Sequence, residues 1–218
     1  MPNARAHALA TIREVGIIPV IRVGDADTAE CVAEALLAAG LAIAEVTLSV
    51  PNAERVITSI VKKYGDQVLV GAGTVTDADG AQRALGAGAR FIVTPCLVPE
   101  VISAARNSDV AVLPGAFTPT EIFAAHQLGG DMIKVFPIGT SGAAYVRSLR
   151  GPFPDIPLVP TGGVTLENIG QLFEAGAVAV GVGSELIPRD AIARRDYAAI
   201  GAMARKFLAA RPVRSASS

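Results

Sequence analysis

Eight short runs rich in Val, Ile, Leu and Phe recur along the chain. They begin at Gly16 (GIIPVIRV), Ala42 (AIAEVTLS), Val68 (VLVGAGTV), Phe91 (FIVTPCL), Ala111 (AVLPGAF), Met132 (MIKVFP), Leu158 (LVPTGGV) and Val178 (VAVGVGS). Their starts lie roughly 20 to 26 residues apart, room for a strand, a loop and a helix of about three turns. Between them the apolar positions switch to spacings of three and four, as in DTAECVAEALLAAG, which ends on a glycine. The pattern predicts strand and helix in alternation. Strands this uniformly apolar are covered on both faces, as parallel strands are, and eight βα units close on themselves without leaving an edge. The expected fold is therefore α/β, a (β/α)8 TIM barrel. A doubly wound open sheet is the alternative, weakened because no G-x-G-x-x-G follows the first run. An additional helix is expected over about residues 3–14, one domain over 1–218, and a flexible tail over about 211–218.

In such a barrel the C-terminal strand ends and the loops after them build the active site. Here those ends carry glycines and the hydroxyls of Thr47, Ser49, Thr74, Thr94, Thr118, Thr161 and Ser184, which are expected to line a polar mouth. Each alone is ordinary turn chemistry; their coincidence on one rim is the signal. TGG at Thr161–Gly163 and GVGS at Gly181–Ser184, with Gly183, follow the seventh and eighth runs. There, unobstructed backbone N–H groups suit a phosphate, and packing glycines are the plainer alternative.

Composition narrows the partners. The chain is 218 residues, 51% hydrophobic and 18% charged, enough for a large core. A net charge of -1 and 5% aromatics argue against a nucleic-acid surface. The N-terminal stretch interrupts its apolar residues with Arg5, His7, Arg13 and Glu14, so neither a signal peptide nor a membrane span is expected, and a cytoplasmic setting is. Cys31 and Cys96 lie far apart with no Cys/His cluster, so no metal is expected.

Against this background one cation stands out. Of four lysines, Lys62 and Lys63 are adjacent, Lys206 lies in a polar-studded helix pattern, and Lys134 sits inside MIKVFP. An unpaired buried ammonium is costly, so such a lysine escapes to water, finds a partner or gives up its proton. Desolvation beside Ile133 and Val135 favours the uncharged amine, which attacks a ketone and forms an imine. Among the acids, Glu45 in AIAEVTLS is the one most clearly inside an apolar run. Strand alternation puts Lys134 on one face with Phe136, and Glu45 with Thr47 and Ser49, so both are expected to point into the barrel. There Glu45 is the base for carbon–carbon cleavage beside the imine. A Lys134–Glu45 ion pair that only holds the barrel is the structural alternative, and a poor stabiliser.

The motifs EVTLSVPNA, VGAGTV, VTPC, LPG, KVFP, GPF, PTGGV and GVGS, in this order from about Ile17 to Phe207, make the chain similar to the class I 2-keto-3-deoxy-6-phosphogluconate (KDPG) aldolases, also called 4-hydroxy-2-oxoglutarate (KHG) aldolases. The resemblance implies cleavage of a 2-keto-3-deoxy sugar acid phosphate to pyruvate and glyceraldehyde 3-phosphate, without metal or other cofactor, by a homotrimer. It implies that Lys134 forms the imine, that Glu45 is the general acid/base, and that Thr74, Pro95 and Phe136 shape the pyruvate pocket. One position departs: some members follow EVTL with a carboxylate-binding arginine, whereas this chain has Ser49. Others carry an arginine at the end of the first strand, as Arg22 is here, and members lacking the arginine after EVTL include enzymes for the galactonate epimer. A phosphosugar epimerase and a barrel that binds without catalysis remain the rival readings; Lys134 argues against the first, Lys134 with Glu45 against the second.

Overall fold

The computed structural model describes residues 4–212. Its strands are β1 (Ile17–Ile21), β2 (Ile43–Thr47), β3 (Leu69–Gly73), β4 (Phe91–Val93), β5 (Ala111–Leu113), β6 (Gly115–Ala116), β7 (Ile133–Val135), β8 (Leu158–Pro160) and β9 (Val180–Val182). The helix α1 (Ala4–Val15) precedes them. Between and after the strands come α2 (Ala26–Ala38), α3 (Ala53–Tyr64), α4 (Ala78–Gly86), α5 (Pro99–Asn107), α6 (Pro119–Gln127), α7 (Gly142–Arg150), α8 (Ile169–Glu174), α9 (Arg189–Ala193) and α10 (Tyr197–Ala210). Side chains just ahead of several helices set their starts. Asp25 accepts from the Thr28 N–H and Asp77 from the Gly80 N–H. Thr118 and Glu121 form a reciprocal capping box.

All strand pairings are parallel, in the orders β5-β4-β3-β2-β1-β9 and β6-β7-β8, so the fold is α/β with a curled parallel sheet. Two seams join the groups. At one, the Asp131 N–H donates to the Val112 carbonyl at 2.9 Å, and the Asp131 carboxylate accepts from the Val112 N–H at 2.9 Å. At the other, Thr161 bridges to Gly181, and the Val178 N–H donates to the Leu158 carbonyl at 2.9 Å. The AVLPGAF run, read as one strand, is divided into β5 and β6 because Pro114 has no N–H to give the ladder. Its carbonyl still accepts from the Lys134 N–H at 3.0 Å.

Alternation along the strands sorts the apolar side chains into two cores. Ile17, Ile21, Ala44, Val46, Val70, Ala72, Ile92, Val112, Ile133, Val135, Leu158, Val180 and Val182 pack with the helices. Their strand neighbours Ile18, Ile43, Leu69, Phe91, Val93, Ala111, Leu113, Met132, Val159 and Ala179 form a separate inner cluster. Ala8 and Ile12 of α1 complete that inner cluster, and Arg5 of α1 is bound through its guanidinium to Asp131. The helix expected over 3–14 thus runs from Ala4 to Val15, with Asn3 outside the described residues. Of the tail expected to be flexible, Arg211 donates to the carbonyls of Glu14 and Val15, and residues 213–218 lie outside the described residues. No helix of the described residues is long and apolar enough to cross a membrane.

Candidate active site

β7 holds Lys134 between two strands, opposite Gly115 of β6 and Val159 of β8. Its flanking residues Ile133 and Val135 belong to the outer core and Met132 to the inner one. Lys134 therefore faces inward, 6% exposed, with its Nζ 5.1 Å from the centre of the Phe136 ring. Gly115 leaves the adjoining space to backbone: a Cβ there would lie 2.4 Å from the Pro95 carbonyl carbon. The turn carrying Pro95 is locked by Thr94, whose Oγ1 accepts from the Gly115 N–H at 3.0 Å and donates to the Cys96 carbonyl at 2.5 Å.

Glu45 sits across the interior on β2, on the parity of Ile43 and 2% exposed. Burial pushes its carboxyl above the ordinary carboxylate range, while the charges of Lys134 and Arg22 pull it down. The ion pairs among the described residues do not include a Lys134–Glu45 contact. Glu45 Oε1 is buried without a hydrogen-bond partner. An orphaned buried oxygen costs about 1–3 kcal/mol, which counts against a purely structural role for this carboxylate.

Arg22, one residue beyond β1, reaches over the ends of β2 and β3. Its guanidinium donates to Ser49 Oγ and to Thr74 Oγ1, each at 2.8 Å. Thr74 stands in the left-handed region at φ 57°, a conformation that is uncommon for a non-glycine residue and clusters at functional sites. Thr47 donates to the Ile21 carbonyl at 3.0 Å and lies 2.9 Å from Ser49 Oγ. Arg22 thus reaches Ser49, the position that follows EVTL, from the neighbouring strand. Two small cavities open here: one of about 240 Å³ lined by Ser49, Thr74 and Asp77, and one of about 180 Å³ lined by Arg22, Gly24, Ile187 and Arg189. A larger cleft, about 670 Å³, lies outside between α3 and α4 and touches none of these residues.

The glycine loops adjoin on the other side. The Ile138 N–H donates to the Thr161 carbonyl and the Gly139 N–H to the Gly162 carbonyl. Gly162 and Gly163 have φ 78° and 90°, and a Cβ on Gly163 would lie 2.4 Å from the Gly139 Cα, so backbone freedom and close approach both demand glycine. Thr161 is 6% exposed and fills the space left by Gly181, while Ser184 is exposed beyond β9. The predicted residues Arg22, Thr47, Thr74, Pro95, Phe136, Thr161, Gly162, Gly163, Gly183 and Ser184 all lie at or just beyond C-terminal strand ends. Thr118 does not join a polar mouth through its hydroxyl, which caps α6. Two residues escaped the sequence reading. Asn168 donates to the Gly163 carbonyl at 2.8 Å, foreshadowed only by a T-x-x-N cap signal, and Gly73 adjoins Glu45. No cluster of three or more His, Cys, Asp or Glu that could hold a metal ion occurs among the described residues.

Residues 9–203 match the profile of the family described as KDPG and KHG aldolase. The chain is 37% identical to the 2-dehydro-3-deoxy-6-phosphogalactonate aldolase of Escherichia coli K12, over 78% of this chain and 83% of that one. It is 34% identical to the 2-dehydro-3-deoxy-phosphogluconate aldolase of Pseudomonas aeruginosa, over 90% and 89%. The crystal structure of KDPG aldolase from Legionella pneumophila, with pyruvate captured at low pH as a covalent carbinolamine intermediate, superposes with a TM-score of 0.82 at 29% identity, covering 91% of this chain and 96% of that one.

Proposed function

This chain belongs to the KDPG and KHG aldolase family and is a class I aldolase, a carbon–carbon lyase, and from that premise we propose that it cleaves 2-keto-3-deoxy-6-phosphogluconate through an imine on Lys134. The observation that carries this reading is an inward lysine and a buried carboxylate with an unpartnered oxygen on the inner face of one curled parallel sheet. The sheet is read as a closed (β/α)8 barrel in one domain, with β5 and β6 as one strand interrupted at Pro114 and α1 as the additional helix. The hydrogen bonds at both seams and the separate inner core support that reading.

The Lys134 amine attacks the C2 ketone, and the carbinolamine loses water to give the imine. Glu45 takes the proton of the C4 hydroxyl; the C3–C4 bond breaks, its electrons pass to the imine, and glyceraldehyde 3-phosphate leaves. The resulting enamine regains a proton at C3 from Glu45, and hydrolysis returns pyruvate and the free lysine. Phe136, Pro95, Thr47 and Thr74 bound the pyruvate end, and Arg22 binds its carboxylate. The loops of Thr161–Gly163 and Gly183–Ser184 hold the phosphate with backbone N–H groups. We infer a cytoplasmic homotrimer; light scattering on the purified protein tests the assembly.

Borohydride added with pyruvate is expected to leave a reduced pyruvyl group on Lys134, located by peptide mapping. A label on Lys62 or Lys206, or none, removes the imine mechanism. A second reading, preference for the galactonate epimer, is favoured by the 37% identical galactonate relative and by Arg22 standing against Ser49. Pyruvate release from the two phosphorylated epimers and from 4-hydroxy-2-oxoglutarate decides between them.

Arg22 and Ser49 have separate expected effects. Loss of the charged contact in Arg22→Ala should raise KM by about 1.5–3 kcal/mol, roughly ten- to a hundredfold. Ser49→Ala should change KM by less than about threefold, because it removes one neutral hydrogen bond to the guanidinium. Steady-state kinetics check this; equal small effects assign the carboxylate to backbone N–H groups.

A further inference from the structure

The inward positions of β3 are nearly bare. Val70 and Ala72 pack outward with the helices, so Leu69, Gly71 and Gly73 face the interior, and only Leu69 has a side chain to put there. Gly71 pairs with Glu45 and Gly73 with Thr47 across the β2–β3 ladder. Neither glycine lies among the residues of positive φ, so the backbone would accept any residue at either position. What excludes other residues is space.

Two neighbours take up that space. A Cβ on Gly71 would lie 2.4 Å from the Phe91 ring. A Cβ on Gly73 would lie 1.9 Å from Glu45 Oε1, 2.6 Å from its Cδ and 2.8 Å from its Cγ. The Glu45 side chain therefore leans along the ladder from its own partner Gly71 to lie over Gly73. The oxygen nearest that Cβ position is the one without a hydrogen-bond partner. Glycine inside a strand weakens it and commonly marks a close approach, so its presence at an otherwise regular position calls for a compensating use.

We propose that Gly73 is a positioning residue for the aldolase reaction: the volume it leaves on β3 is the seat of the Glu45 carboxyl. The seat fixes the carboxyl by shape alone, giving Oε1 no donor, so its lone pairs stay free for a substrate proton. Gly71 serves the core instead, by admitting Phe91. This assignment rests on the proton-transfer role of Glu45 given above.

Gly73→Ala tests it. The expected result is a fall in kcat on the order of 10²-fold, the scale of a displaced general acid/base, with KM changed less than about threefold. Borohydride trapping of pyruvate at Lys134 is retained, and the acid limb of the kcat–pH profile moves. Glu45→Asp, which withdraws the carboxyl by one methylene, should cost activity alone but little or nothing in the Gly73→Ala background, a non-additive cycle. Gly71→Ala should lower stability while keeping kcat per folded molecule. Unchanged kcat and pH profile in Gly73→Ala, or additive losses, overturn the proposal.

If Gly73→Ala does not fold, thermal denaturation of Glu45→Ala with and without Gly73→Ala decides. Folding restored in the double variant supports the clash; failure there too overturns it. Should Glu45→Gln keep normal cleavage, the proton-transfer reading fails, yet this stability cycle still reports whether Gly73 seats the side chain.

Discussion

Replacing Lys134 by Met is expected to abolish turnover, with a loss of about 10⁴- to 10⁶-fold, the scale seen when a covalent nucleophile is removed from an enzyme. Methionine keeps the unbranched apolar stem of the side chain among Ile133, Val135 and Met132 and lacks the terminal amine. Borohydride trapping should vanish together with cleavage. Folding should persist, because Glu45, already pushed up by burial and now without the ammonium, takes up a proton rather than remain charged. Cleavage assays, mass spectrometry after borohydride and a thermal melt check the three parts. Residual cleavage within tenfold of the wild type would mean that the imine is not the route.

Glu45→Gln is expected to lower kcat by about 10² to 10⁴, or roughly 3 to 5 kcal/mol of barrier, because the amide keeps size and hydrogen bonding but cannot take and return a proton. Trapping at Lys134 should weaken modestly and remain detectable, which separates proton transfer from covalent chemistry. The sign of the pH dependence follows from burial. The folded Glu45 carboxyl holds its proton more tightly than an ordinary carboxyl, so the acid limb of kcat should lie above the usual carboxylate range. The same shift makes stability complete below the unfolded carboxyl's pKa and lost as pH rises through the folded one. Glu45→Gln should flatten both dependences. Retained cleavage with loss of pyruvate methyl-proton exchange would confine Glu45 to the enamine and require another base for the C4 hydroxyl.

Some of this is legible in the amino-acid sequence alone. Lys134 was visible because an ammonium inside MIKVFP is too expensive to be incidental, and Glu45 because AIAEVTLS is otherwise suited to burial. The strands were visible because a parallel strand buried on both faces is apolar throughout. Pro114 shows the limit of that signal: AVLPGAF reads as one strand, but the missing N–H interrupts the ladder while the carbonyl continues it. Thr118 shows another, since a hydroxyl at a strand end caps α6 when a Glu three residues on completes the box.

The amino-acid sequence by itself determined the alternation of strands and helices, the inward parity of Lys134 and Glu45, and the glycine-rich ends after β8 and β9. Each of these is a local property of periodicity, turn chemistry or the cost of burying charge. Tertiary structure alone decided which distant residues meet. Arg22 reaches Ser49 across 27 positions of sequence and Thr74 across 52, and Gly73 leaves the volume that Glu45 enters from the neighbouring strand. A glycine's contribution there is an empty volume, and an empty volume has a function only once the strand beside it has brought something to fill it.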